Sequence, residues 1–105
     1  MKKFIILNGS YNLNGNTSTS IQHFLKGLKE EIEVEEKIVN APRMNPNPCR
    51  GCLACRKKDD IFCVQQDETF ELVKEIVQAD IVVFAFPIYY YYMPGSLKIL
   101  LDRHR

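Results

Sequence analysis

The sequence predicts an α/β protein in which helices pack on both faces of a parallel sheet. Two short apolar runs, at residues 4–7 and 81–86, are typical of strands that are buried on both faces. Segments with apolar residues at helical spacing lie between and after these runs. Such alternation favours a parallel sheet, because right-handed crossover connections place the helices on both of its faces.

The first half of the chain has the pattern of a strand, a helix and a second strand. After the run at residues 4–7, a predicted helix has an apolar face with charged residues opposite, and that face carries Ile21, Phe24, Leu25, Leu28 and Ile32. This helix should cover the first strand. The second strand, at residues 32–39, mixes apolar residues with glutamate and lysine, which is typical of a sheet edge.

The second half has the pattern of a helix, a strand and a last helix. Asp67 is the predicted N-cap of a helix in which Phe70, Val73 and Val77 share a face, with Leu72 and Ile76 alongside. The apolar run at residues 81–86 follows, and an amphipathic helix ends the chain. We predict a three-layer flavodoxin-like sheet of strand order 2-1-3, which puts the polar second strand at an edge.

Composition limits the classes of function. The 105 residues include 14 basic and 13 acidic side chains, so no strong field of one sign favours nucleic acid or anionic lipid. No apolar run reaches the length of a signal peptide core or a membrane span. We expect a single cytoplasmic domain over residues 1–105, with a cysteine-rich loop at 41–66 and small molecules or proteins as partners.

A loop rich in glycine, serine and asparagine separates the first strand from the first helix. Residues of this kind let backbone N–H groups approach an anion at a helix N-terminus. No lysine follows Gly15 and no G-x-G-x-x-G pattern is present, so neither a Walker A loop nor a dinucleotide motif is matched. The loop suits a terminal phosphomonoester, but simple capping of the helix by Asn16 or Thr17 also explains its composition.

All four cysteines fall within one short segment, with the spacing C-x2-C-x2-C-x7-C. In a reducing compartment, such clustering indicates metal or redox chemistry before structural disulfides. Zinc sites usually present two close pairs that are separated by a longer connection, whereas three cysteines at this spacing suit an iron-sulfur cubane. A 4Fe-4S cluster, free thiols and zinc all remain open. The four candidates are Cys49, Cys52, Cys55 and Cys63.

Three blocks of the sequence resemble one family, and they occur in the expected order. They are GSYNLNGNTS, the cysteine segment, and ADIVVFAFPIYYYYMPGSLKILLDR. Together they resemble the flavodoxin-like NAD(P)H-dependent FMN reductases, in particular the iron-sulfur flavoproteins. The resemblance implies an FMN-dependent oxidoreductase or electron-transfer flavoprotein. Its electrons would come from NAD(P)H or ferredoxin and pass to a quinone, a flavin or another small acceptor.

The resemblance also implies a role for particular residues. The FMN phosphate would be held by Ser10, Asn12, Asn14, Gly15, Asn16 and Thr17. The isoalloxazine ring would lie along Pro87, Ile88, Tyr89 and Tyr90. The four cysteines would ligate the cluster. A family signature would be matched by three residues of the last helix, which we interpret as positioning that helix: Lys98, Asp102 and Arg103.

The tyrosine run supports the flavin assignment on physical grounds. Flat aromatic side chains offer a face to a tricyclic ring, and in a doubly wound sheet this loop faces the phosphate loop across the switch point. For Tyr91 and Tyr92, a contact surface for a partner subunit is an equally good explanation.

The resemblance implies that the last two strand-helix units of the fold are lacking. The strand at residues 81–86 would then stand at an open edge, and long apolar edges invite pairing. We therefore expect another subunit to cover it, which predicts a homo-oligomer. The alternative function is a catalytically silent, shortened relative that binds a metal or a protein partner through its cysteine loop and tyrosines.

Overall fold

The structure is a computed structural model that describes residues 1–44, 46–53, 55, 63, 65 and 67–103. Parts of the predicted cysteine-rich loop at 41–66 therefore lie outside the described residues. The elements follow in the order β1 (Lys2–Asn8), α1 (Asn16–Glu31), β2 (Val34–Asn40), α2 (Ala41–Met44), α3 (Glu68–Gln78), β3 (Ile81–Ala85) and α4 (Gly95–Asp102).

The described strands form a parallel sheet of order β2-β1-β3. Ile6 at the centre of β1 is paired with Ile38 of β2 on one side and with Val83 of β3 on the other. The α/β class, the parallel pairing and the 2-1-3 order predicted from the sequence are thereby confirmed. All three strands consequently end at the same edge of the sheet, where the loops after β1 and β3 begin.

The core lies on both faces of β1, which is buried from Phe4 onwards. On one face, Ile6 packs with Ile21 and Leu25 of α1. Phe24 and Ile32, which were predicted on the same apolar face, are exposed instead. On the opposite face, the cluster around Ile5 and Leu7 takes in three leucines of α3 and α4, namely Leu72, Leu97 and Leu100. Because each such side chain contributes about 1.5–3 kcal/mol on burial, these contacts hold the three layers together.

The buried face of α3 differs from the prediction. Thr69, Leu72 and Val73 are buried, whereas Val77 is exposed. Val73 of the predicted face is therefore confirmed as buried, as is Leu72 beside it, and the prediction is wrong for Val77. The core cluster on this side of the sheet takes in Leu72 and Ile76 of the helix and leaves Val77 uncovered. The predicted N-cap is confirmed, because the Asp67 carboxylate accepts a hydrogen bond from the Phe70 amide at 3.1 Å.

β3 is less buried than its apolar sequence suggests. The side chains of Ile81 and Phe84 are each 45% exposed, because β3 is an edge strand in the described part of the chain. The second difference is α2, a single helical turn within a segment that the sequence analysis assigned to a loop. No helix among the described residues has the length and apolar character needed to cross a membrane.

Candidate functional site

The loops that follow β1 and β3 leave the sheet side by side. The Gly9 amide donates to the Ala85 carbonyl at 2.8 Å, which extends the pairing of the two strands by one step. A Cβ atom on Gly9 would lie 2.6 Å from Leu97 Cδ1 and 3.1 Å from Phe86 Cβ. Glycine is therefore required here, because α4 packs directly against the backbone where the two loops begin.

The side chain of Asn8, at the end of β1, holds the following loop through hydrogen bonds. Its side chain is 2% exposed, and its amide donates to Asn40 Oδ1 at 3.2 Å and to Ser18 Oγ at 3.4 Å. Its carbonyl oxygen accepts from the Ser10 amide at 3.0 Å. One buried amide thus connects the ends of β1 and β2 with α1 and the loop. Asn8 was not among the predicted site residues, although a polar residue directly after the apolar run at residues 4–7 is a signal for it.

The side chains of Ser10 and Asn12 hold the loop in shape. The Ser10 hydroxyl donates to the Asn12 carbonyl and accepts from the Asn12 amide, both at 3.2 Å. Asn12 Oδ1 accepts from the Asn14 amide at 3.1 Å, and the Asn12 carbonyl accepts from the Gly15 amide at 3.2 Å. These short-range bonds orient the backbone that leads into α1.

The N-terminus of α1 is open. Gly15 is its N-cap, no side chain among the described residues caps it, and no acidic residue lies in its first turn. The capping alternative for Asn16 and Thr17 is therefore wrong, since these are the first two residues of the helix itself. The N–H groups of the first turn and the positive end of the helix dipole are left available to an anion.

The aromatic loop after β3 forms a tight turn. The amide and carbonyl groups of Tyr89 and Tyr92 bond reciprocally, at 2.8 and 3.0 Å. Tyr90 and Tyr91 occupy the left-handed region, with φ of 46° and 66°, and are 94% and 93% exposed. Such backbone costs roughly 1–2 kcal/mol per non-glycine residue, and strain of this kind concentrates at functional sites.

The structure brings the two loops into contact. The rings of Tyr11 and Tyr89 stack with their centroids 6.4 Å apart and their planes at 25°. Pro87 is half-buried at the base of the aromatic loop, whereas Ile88 is exposed beside it. Tyr11 was absent from the predicted site, because only its position across from Tyr89 in space distinguishes it from other loop residues.

The four cysteines form a second candidate site. Cys49 and Cys52 are exposed, Cys55 and Cys63 are half-buried, and all four thiols are free. All four line one cavity of about 60 Å³, together with Arg103 and neighbouring loop residues. Within the described parts of the chain, no three Cys, His, Asp or Glu side chains form a group that could hold a metal ion. The four thiols therefore line one cavity, but they are not close enough to one another to form a metal site.

Arg103 ties the cysteine loop to α4. Its guanidinium is buried and donates through Nη1 to Asp67 Oδ2 at 2.6 Å and to the Asn47 carbonyl at 3.2 Å. Through Nη2 it donates to the Gln65 carbonyl at 2.7 Å and to Cys63 Sγ at 3.6 Å. The hydrogen bond from Arg103 is the main reason that the pKa of Asp67 is lowered to about 2. Sequence reasoning had interpreted Arg103 only as a residue that positions the last helix.

The other two residues of the predicted signature lie on the surface of α4. Lys98 and Asp102 form an exposed ion pair one helical turn apart. This pair raises the pKa of Lys98, first through the hydrogen bond to Asp102 and then through its charge. The pair therefore supports the helix, and Asp102 also lines the cysteine cavity.

A comparison of the whole sequence with protein families gives a result that agrees with this fold and with the two loops at the sheet edge. Residues 2–105 match the family described as NADPH-dependent FMN reductase. The chain belongs to this family. The match covers both loops at the sheet edge and the cysteine segment, so the FMN reductase fold accounts for the parallel 2-1-3 sheet.

Several relatives within this group are iron-sulfur flavoproteins. One from Methanocaldococcus jannaschii is 31% identical over 103 residues, which cover 98% of this chain and 52% of the relative. One from Archaeoglobus fulgidus is 33% identical over 96 residues, or 90% of this chain and 42% of the relative. One from Methanosarcina thermophila is 41% identical over 56 residues, or 53% of this chain and 28% of the relative. The chain thus spans about half the length of the curated relatives it matches, or less.

Proposed function

We propose that this FMN reductase family member is an FMN-dependent oxidoreductase or electron-transfer flavoprotein. The observation that carries the proposal is the contact between Tyr11 and Tyr89, which joins the loop before α1 to the aromatic loop after β3. Ligands of doubly wound folds bind at this edge, outside the carboxyl ends of the strands. One end of the site would take an anion and the other an aromatic ring, as FMN requires.

The residues at the sheet edge fit FMN. The open N-terminus of α1 and the absence of acidic residues from its first turn suit a phosphate. We propose that the backbone from Ser10 to Thr17 holds that phosphate, with Ser10 and Asn12 orienting the loop and the residues from Asn14 donating to it. Pro87, Ile88, Tyr89 and Tyr90 would lie along the ring system, and Tyr11 joins this set through its stacking on Tyr89.

The cysteine cavity fits a 4Fe-4S cluster in the kind and number of its donors. Four thiols line it, and four thiolates are what such a cluster takes. Ligation would require the thiols to move closer together than they are in this structure. When bound, FMN supplies two-electron chemistry with nicotinamides, and the cluster supplies one-electron transfer.

The reaction partners follow from the same chemistry. We propose that electrons come from NAD(P)H or ferredoxin and leave to a quinone, a flavin or another small acceptor. The near-balance of charge gives no reason to expect binding to nucleic acid or to anionic lipid. We further propose that the protein works in the cytoplasm, where its free thiols would stay reduced, and that it assembles as a homo-oligomer through β3.

A second candidate function is favoured by exposed side chains of the cysteine loop and the aromatic loop. A relative without catalytic activity would bind a metal or a protein partner through the cysteine loop and the tyrosines. The finding that supports it is the exposure of Cys49, Cys52, Tyr90 and Tyr91.

Spectroscopy of protein purified without oxygen separates the two candidates. The FMN-dependent oxidoreductase predicts absorbance bands near about 370 and 450 nm, with a broad shoulder near about 400 nm where the cluster is present. Reduction by NADPH should bleach the flavin bands. A colourless protein that neither takes up added FMN nor contains iron and sulfide would support the second candidate.

A further inference from the structure

The guanidinium of Arg103 lies at the boundary between the cysteine cavity and the core. It lines the cavity with the four cysteines, and its side chain is 1% exposed. A buried cation is costly unless it is paired and hydrogen-bonded. The Asp67 carboxylate and two backbone carbonyls offset most of this cost, as described above. The remaining donors of Arg103 are therefore the informative ones.

Two N–H groups of Arg103 have no oxygen acceptor among the described residues. Nη2 reaches Cys63 Sγ at 3.6 Å, and Nε–H is buried without a hydrogen-bond partner among the described residues. Leaving a buried donor unpaired is unfavourable, so its position beside a cavity lined by thiols points to an acceptor there. Thiolate or sulfide sulfur would be such an acceptor.

We propose that Arg103 is the positioning residue of the cysteine cavity and that it sets the reduction potential of the cluster bound there. This inference rests on the proposed function, because it requires a 4Fe-4S cluster on the four cysteines. N–H···S hydrogen bonds and a nearby positive charge stabilise the more negative form of an iron-sulfur group. One-electron reduction adds one negative charge to the cluster with its four thiolates. Arg103 therefore favours the reduced form and raises the potential.

Asp67 should affect the reduction potential of the cluster in the opposite direction to Arg103. Its carboxylate holds the guanidinium in place, but its own negative charge disfavours reduction nearby. Loss of Arg103 should therefore lower the potential, whereas loss of the Asp67 charge should raise it. A residue pair that merely supported the loop would shift the potential in one direction or not at all.

The test is a redox titration of the cluster, monitored by electron paramagnetic resonance, in wild type, Arg103→Gln, Arg103→Lys and Asp67→Asn. Loss of one charged hydrogen bond in Arg103→Gln should disfavour the reduced form about tenfold, which is about 59 mV for a one-electron couple. Arg103→Lys keeps the charge and should give a smaller shift in the same direction. Asp67→Asn keeps the helix cap and should shift the potential upwards.

The outcomes separate this inference from the proposed function. Wild-type protein that contains no iron and sulfide after anaerobic reconstitution would refute the cluster and, with it, the role of Arg103. A wild-type cluster whose potential is unchanged in the Arg103 variants, or shifts in the same direction in Asp67→Asn, would overturn the inference alone. If Arg103→Gln fails to fold, the opposite shifts of Arg103→Lys and Asp67→Asn still decide it.

Discussion

Arg103 and Asp67 form a partly buried ion pair, 2.6 Å between Nη1 and Oδ2, that joins the end of α4 to the start of α3. The same carboxylate caps α3 through the Phe70 amide. One side chain thus fixes a helix terminus and a buried cation at once. The positions of Asn47 and Gln65 depend on this pair, because Arg103 also donates to the backbone carbonyls of both residues.

The Asp67–Arg103 pair predicts a stability that depends on pH. The folded pKa of Asp67 is about 2 against an ordinary value of 3.8, chiefly because of the Arg103 hydrogen bond and also because of the Phe70 amide. The interactions of the ionised carboxylate together contribute about 2 kcal/mol to the free energy of unfolding. Because the folded pKa is depressed, this contribution is fully present above about pH 4 and is lost as pH falls towards 2. Urea unfolding of wild type and Asp67→Asn from pH 7 to pH 2 measures it. A difference that stays constant over this range would contradict the assignment.

Gly9→Ala should destabilise the protein by about 1–3 kcal/mol, because the new Cβ would overlap the Leu97 side chain in a packed core. The matched control is Gly27→Ala, since Gly27 lies within α1 and a Cβ there meets nothing within 4 Å. That variant should gain about 0.5–1 kcal/mol from helix propensity. Urea unfolding curves compare the two. Equal effects would show that α4 does not press on the loop after β1.

The double variant Tyr90→Asn, Tyr91→Gly should be more stable than wild type and bind FMN less tightly. Asparagine and glycine accept left-handed backbone, so the turn loses roughly 1–2 kcal/mol of strain per residue. The ring of Tyr90, which is proposed to lie along the flavin, is lost at the same time. Tyr90→Phe is the control, since it keeps both the strain and the ring. Thermal unfolding and FMN titration measure the two effects, and a stabilised variant with unchanged affinity would remove Tyr90 from the site.

The exposed β3 edge predicts self-association of this chain. Ile81 and Phe84 present apolar surface on a strand that is unpaired on one side within the described sheet. Phe84→Lys should reduce the mass measured by light scattering at micromolar concentration. Ile32→Lys is a suitable control, because Ile32 is similarly exposed at the far end of α1. Wild type that scatters as a monomer would rule out the homo-oligomer.

Residues close in sequence made most of the fold predictable. The charged residues around Val34 and Ile38 predicted β2 as an edge strand, in agreement with the 2-1-3 order of flavodoxin-like sheets. The Asp67 cap was predictable because it bonds only three residues ahead. Local patterns of polarity therefore predicted the elements, and the fold class supplied their order.

The parts of the site that were missed depend on distant residues. The Tyr11–Tyr89 stack and the bond between Arg103 and Cys63 join residues far apart in the chain. No periodic pattern encodes such contacts, because they arise only after the sheet places its loops at one edge. The exposure of Val77 on α3 has the same origin, namely packing against neighbours that a single segment does not reveal.

The most direct test of the proposed FMN site compares FMN with riboflavin in Asn16→Asp. An aspartate in the first turn of α1 should favour the helix, but it would repel a phosphate bound there. Ser20→Asp, one turn further along, is the matched control for the added charge. The account predicts that Asn16→Asp weakens FMN binding at least about tenfold, or about 1.4 kcal/mol, and leaves riboflavin binding unchanged. Equal affinity of wild type and Asn16→Asp for FMN would contradict it.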